Sequence, residues 1–139
     1  MALLGVGLDL CEVARMEREL SREGCGFRDD VFTAAEIADC QARPHAAAHF
    51  AARFAAKEAV FKALVGGSAE RLGWHDVEIV TAGGGAPRAV LHGKFRRLAK
   101  ERGAVGVAVS LACTRPLAAA CAVVSTRAGT REGRTEAWP

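Results

Sequence analysis

Arg53, Lys57, Glu58 and Lys62 stand in one stretch of this 139-residue chain, interleaved with Phe50, Phe54, Phe61, Leu64 and Val65. Those apolar residues recur at helical spacing and build a stripe. At about 100° per residue, Lys57 falls inside the stripe and Glu58 on its edge. The chemistry such a set offers is charge compensation, because a charge turned toward a core is costly unless it is paired. Helix geometry alone leaves two readings open. Either Lys57 snorkels out to solvent and Glu58 supports Lys62 as an i, i+4 pair, or the group belongs to a site. A second carboxylate, Asp9, ends the first predicted strand and favours the site. It can equally cap the helix that follows.

The elements that must position these groups follow from pattern. Residues 3–9 suit a buried strand, followed by an amphipathic helix over about 12–23. In that helix Val13, Met16 and Leu20 face inward, while Arg15, Arg18 and Arg22 share the outer sides. Thr33 with Glu36 is a capping-box pattern that opens a helix running to about 42. The helix bearing Lys57 and Glu58 starts near 45 and stops at Gly66-Gly67. Val77, Ile79 and Thr81 alternate as a strand, Gly83-Gly84-Gly85 turns, and 89–91 returns. A basic helix over about 93–102 closes on Gly103. Alternation at Val105, Val107, Val109 and Leu111, then an apolar run over 117–124, predicts two strands joined around Arg115-Pro116. This order argues an α+β fold with a largely antiparallel sheet. Residues 126–139 are polar and read as a disordered tail.

The length allows one domain with a modest core. Half the residues are hydrophobic, so the chain is globular rather than disordered. Nineteen basic against sixteen acidic residues give +3, a mild excess that fits acidic partners without demanding nucleic acid. The five cysteines are scattered and read as reduced thiols of a cytoplasmic protein, not a disulfide framework or a zinc site. The apolar start lacks a basic leader and is broken by Asp9, so it reads as a strand rather than a signal peptide. No run reaches the length of a membrane span.

Gly5-Val6-Gly7-Leu8-Asp9, followed by Arg15, resembles the opening motif of the phosphopantetheinyl transferases of the holo-acyl-carrier-protein synthase type. Phe32-Thr33-Ala34-Ala35-Glu36 is similar to that family's second landmark, and residues 53–62 to its signature helix. Trp74-His75-Asp76-Val77-Glu78-Ile79, Gly85-Ala86-Pro87 and Val109-Ser110-Leu111 follow in the family's order. The resemblance runs from about residue 3 to about residue 125 and implies a single transferase domain over 1–125.

The implied reaction moves the 4′-phosphopantetheine arm of coenzyme A onto a serine of an apo acyl carrier protein, leaving adenosine 3′,5′-bisphosphate. The carrier would serve fatty acid or polyketide synthesis. The serine hydroxyl attacks the β-phosphate of the coenzyme A pyrophosphate, so phosphate charge must be neutralised, the two ends held in line and the serine proton removed. Asp9 and Glu58 match the family's Mg²⁺ ligands, and this cation needs only one or two carboxylates beside phosphate oxygens. Lys57, Lys62 and Arg53 would supply positive charge for phosphates, and Gly66 and Pro87 would pack the nucleotide. Arg15, with Arg22 on the same edge, would meet the acidic helix of the carrier protein. The alternative for that edge is a solvated face interleaved with Glu12, Glu17, Glu19 and Glu23. Lys94, Arg96, Arg97 and Lys100 read as a solvated basic face. The resemblance also implies a homotrimer with active sites between protomers.

One position departs from the family pattern. Many relatives carry histidine two residues after the equivalent of Leu111, where this chain has Cys113. An ordinary thiol titrates near ~8.5 and is a poorer base at neutral pH than an imidazole near ~6.5. A water activated by the cation, with Asp9 or Glu58, could take the proton instead. Cys113 as thiolate and His75 as a substitute imidazole are further options. A second reading, from another class, is a silent or slow module that binds coenzyme A and the carrier protein.

Other signals fail. Gly5-Val6-Gly7 starts like a dinucleotide fingerprint, but Leu10 stands where the third glycine belongs. His45 and His49 at i, i+4 are the wrong donors for Mg²⁺. Six phenylalanines without a tyrosine give no stacking platform for nucleic acid.

Overall fold

A 20-residue helix rich in alanine, α4 (Ala46–Val65), lies across one face of a three-stranded antiparallel sheet. The computed structural model describes residues 1–66, 73–81 and 83–127. The chain begins with β1 (Ala2–Glu12), α1 (Val13–Ser21), α2 (Phe27–Val31) and α3 (Ala34–Gln41), then enters α4. A 3₁₀ turn (Trp74–Asp76) leads into β2 (Val77–Val80) and β3 (Arg88–Leu91), which pair with each other. The helix α5 (Gly93–Glu101) and the hairpin β4 (Ala104–Cys113) and β5 (Leu117–Thr126) complete the fold. The sheet order is β1-β5-β4, so β5 is central and β1 and β4 are its edges.

Small side chains let α4 settle close to the sheet. Ala118, Ala120 and Ala122 of β5 are buried beneath it, as are Ala55, Ala59 and Ala63 on the helix. On β1 even a methyl group is too large. A Cβ at Gly5 would collide with the Ala63 carbonyl, and one at Gly7 with the Ala59 carbonyl. Gly66 ends α4 in the left-handed region (φ 60°), with its N–H on the Lys62 carbonyl at 3.1 Å. Gly67, expected to share that stop, lies outside the described residues.

The opposite side of α4 meets aromatic rings. Phe54 stacks on Trp74 with centroids 5.2 Å apart, Phe61 meets Phe95 at 5.1 Å, and Phe50 meets Phe32 at 4.9 Å. The helix is therefore buried on two sides, and the single apolar stripe expected from periodicity describes only one of them.

The strand expected over 3–9 runs longer, and it is buried on one face only. Leu3, Val6, Leu8 and Leu10 are 54–64% exposed on the sheet face away from α4. The face toward the helix carries Gly5, Gly7, Asp9 and Cys11. The inward set on α1 stands as expected, with Val13 and Met16 buried and Leu20 partly so. The Thr33–Glu36 capping box is present. The short α2 has no counterpart in the sequence reading; Phe27, its first residue, packs on Phe32 and Phe54. Thr126 of the expected tail is still strand, paired with Ala2 and Ala104, while residues 128–139 lie outside the described ones.

Candidate active site

The close approach permitted by Gly5 and Gly7 sets Asp9 of β1 beside the C-terminal half of α4. Lys62 donates from Nζ to Asp9 Oδ1 at 2.7 Å and to the Leu8 carbonyl at 3.0 Å. Glu58, one turn earlier, is half-buried in the same neighbourhood. Burial, and next the Asp9 charge, push its pKa above the ordinary 4.5, with Lys62 opposing. Glu58 thus lies close enough to Asp9 for the Asp9 charge to disfavour its ionised form. Lys62 pairs with Asp9 rather than with Glu58 as an i, i+4 partner. Asp9 does not cap α1 either, since Glu12 holds the N-cap position of that helix without a side-chain bond.

These residues fit a divalent cation. The donors are hard carboxylate oxygens, their repulsion calls for positive charge, and an ammonium already stands on one of them. Among the described residues no group of three or more histidine, cysteine, aspartate or glutamate side chains is placed to hold a metal, so the pair would rely on water and substrate oxygens. Gly66 lies one turn past Lys62, exposed at the end of the same helix.

Lys57 goes elsewhere. Its ammonium is fully buried and bonds Glu36 Oε2 at 2.8 Å, the Trp74 carbonyl at 3.0 Å and the Val77 carbonyl at 2.7 Å. All three of its protons are therefore engaged, which excludes snorkelling and corrects the expectation that Lys57 faces phosphate beside Asp9. The cause is geometric: residues 57 and 58 point about 100° apart, and on a helix buried on two sides that step turns Lys57 toward α3 and β2. Burial lowers the Lys57 pKa and Glu36 opposes the shift. Glu36 also accepts from the Thr33 and Ile79 backbone N–H groups, both at 2.8 Å. Sequence reasoning reads Glu36 as a cap alone.

Arg53 and Pro87 meet at the other edge of the sheet. With Arg43, His49, Thr81, Leu111 and Cys113 they line a cleft of about 190 Å³. Arg53 is buried, ion-paired through Nη2 to Asp39, and its Nε finds no hydrogen-bond partner. Burial pushes Asp39 up, but the Arg43 hydrogen bond and the Arg53 and Arg43 charges outweigh it and hold the carboxyl below its ordinary value. Its Nη1 donates to the His49 carbonyl at 3.4 Å, so the guanidinium borders the cleft as a fixed positive charge. Cys113 is exposed and also borders a larger cleft of about 610 Å³ beside α1.

Register separates the two halves. Asp9 pairs with Ala120, which pairs with Leu111, so β5 stands between the carboxylate edge and the Cys113 edge. The edge strands are about 10 Å apart at the backbone, with α4 lying over the sheet between them. Arg15 and Arg22 are on neither edge. Arg15 is exposed on α1, and Arg22 is exposed just past its end, where it pairs with Glu19 at 3.2 Å. His75 has its Nε2 on the Asp29 carbonyl at 2.9 Å and does not line either cleft that Cys113 borders.

Known proteins resemble this arrangement in sequence and in fold. The family model of the 4′-phosphopantetheinyl transferase superfamily matches residues 5–122. The holo-[acyl-carrier-protein] synthase of Moorella thermoacetica is 45% identical over 124 residues, covering 89% of this chain and 95% of that one. The Chronobacterium ammoniagenes ACPS-CoA complex superposes with a TM-score of 0.81 at 27% identity, over 91% of this chain and 99% of that one. Acyl carrier protein synthase of Mycobacterium tuberculosis gives 0.71 at 34% identity, over 91% and 100%.

Proposed function

The chain belongs to the 4′-phosphopantetheinyl transferase superfamily, and from that premise we propose that it transfers the 4′-phosphopantetheine arm of coenzyme A to a serine of apo acyl carrier protein. The observation that carries this reading is the convergence of Asp9, Glu58 and Lys62 where Gly5 and Gly7 bring α4 onto β1. A Mg²⁺ ion held by Asp9 and Glu58 would supply charge neutralisation for the pyrophosphate. Lys62 carries a half-exposed ammonium beside them for the phosphate oxygens. Gly66 offers side-chain-free backbone for the nucleotide. Lys57 acts through position: its bonds to Glu36, Trp74 and Val77 hold α4, and so Glu58, in place.

Arg53 and Pro87 complete the coenzyme A site from a second protomer. Two observations support that assembly. Each edge of the sheet carries groups the other lacks, and the outer face bears Leu3, Val6, Leu8, Leu10 and Val123, a patch that calls for a cover. A head-to-tail ring of copies sets the β1 edge of one chain against the β4 edge of the next and turns the apolar faces inward. Three copies make the homotrimer. Arg15, exposed on α1, and Arg22, exposed just past its end, receive the acidic helix of the carrier protein. No described helix is long and apolar enough to cross a membrane, and the five free cysteines support a reducing, cytoplasmic setting.

Cys113 favours the second reading, a coenzyme A and carrier-protein binding module that does not turn over. Intact-mass spectrometry of apo carrier protein incubated with coenzyme A, Mg²⁺ and this protein separates the two. One phosphopantetheine should be gained, and Asp9→Ala or Glu58→Ala should abolish the gain. Coenzyme A binding without any gain on several carrier proteins would establish the silent module instead.

A further inference from the structure

The 610 Å³ and 190 Å³ clefts on the Cys113 side share two lining residues, Cys113 itself and His49 of α4. The position at which this chain lacks the histidine of many relatives therefore borders the same space as another imidazole. That imidazole is oriented. One ring nitrogen bonds the Pro44 carbonyl, which fixes the tautomer and leaves the other nitrogen as an acceptor in the neutral ring.

Its surroundings keep it neutral. Burial and the Arg43 and Arg53 charges lower the His49 pKa, against the opposing pull of Asp39. The charged and titratable groups bordering these clefts are Glu17 from α1, Arg43 and His45 before α4, Arg53 on α4, and Cys113 and Arg115 from the β4–β5 hairpin. Cations outnumber carboxylates here, which disfavours an imidazolium and favours a free base at neutral pH.

We propose that His49 is the proton acceptor of the transfer, standing in from α4 for the imidazole missing at Cys113. This rests on the transferase reading above. The carrier serine Oγ forms a bond to the β-phosphorus and its proton passes to the free ring nitrogen of His49. The bond between that phosphorus and the bridging oxygen breaks, and its electron pair leaves with adenosine 3′,5′-bisphosphate.

The test is steady-state transfer by the purified full chain with apo carrier protein, coenzyme A and Mg²⁺, across a pH series. His49→Gln should lower kcat by about 10²–10⁴-fold and remove the acidic limb of the kcat profile. His49→Gln/Cys113→His should regain most of the rate and an acidic limb, because an imidazole again borders the cleft. If His49→Gln keeps its rate and profile while the wild type is active, His49 is not the acceptor. It is equally excluded if the rate falls with coenzyme A affinity and melting temperature and the second substitution restores nothing, for then the residue serves packing. A wild type that transfers nothing overturns the transferase reading and this proposal together.

Discussion

Lys57 and Glu58 are neighbours in sequence with different work. Glu58 is kept half-buried near Asp9, whereas Lys57 is sealed with Glu36 at side-chain exposures of 0% and 1%. Removing one member of such a pair leaves the other buried and unmatched, at a cost of about 3–5 kcal/mol. Glu36→Ala should therefore destabilise the protein by about that amount, the more so because the Thr33 and Ile79 N–H groups lose their acceptor. The double substitution Lys57→Met/Glu36→Gln, which removes both charges at similar volume, is expected to return much of the loss. Urea denaturation at fixed protein concentration measures both. A Glu36→Ala variant as stable as wild type would mean the pair does not anchor α4. The sequence reveals that both charges need partners but not which, since a 3.6-residue period locates a buried face only when the helix has one. His49 is read in sequence only with its i, i+4 partner His45, as a donor pair unsuited to Mg²⁺, and spacing alone cannot place it beside Cys113.

β1 and α4 together make the carboxylate site, and their separation decides whether it exists. Gly5 and Gly7 have no room for a Cβ against the Ala63 and Ala59 carbonyls. Read as the start of a nucleotide fingerprint they mean nothing here; read as the contact between a strand and a helix they explain why Asp9 reaches Lys62. Gly7→Ala must push α4 outward or strain β1, at a typical overpacking cost of about 1–3 kcal/mol. The Lys62–Asp9 bond and Glu58 should shift with it, so transfer should fall more steeply than thermal stability. Calorimetric titration of coenzyme A with and without Mg²⁺ is the direct check. Undiminished Mg²⁺ linkage in Gly7→Ala would show that the site tolerates a looser helix. The apolar run of β1 foretells a strand, but it reads as buried throughout because large apolar side chains usually belong to the core. In this chain the core side takes the glycines, and the leucines and Val6 face away.

At the scale of the assembly, one sheet carries complementary halves on opposite edges: Asp9 and Lys62 by β1, Arg53 and Pro87 by β4. If coenzyme A lies between protomers, a chain lacking one half can be rescued by a chain lacking the other. Asp9→Ala and Arg53→Ala should each be nearly inactive alone. Co-assembled in equal amounts, they form rings in which a junction works only where the Arg53→Ala chain supplies Asp9 and the Asp9→Ala chain supplies Arg53. Random mixing makes that about one junction in four in any closed ring, so the mixture should regain about a quarter of wild-type transfer. Native mass spectrometry would confirm that mixed rings had formed and that each variant still assembles, which matters because Arg53 is buried against Asp39. Mixed rings no more active than their parents would put both halves of each site in one chain, and the exposed leucines of β1 would then need another explanation. The recovered fraction is the more informative quantity, because it depends on where the halves lie and not on how fast each intact site turns over.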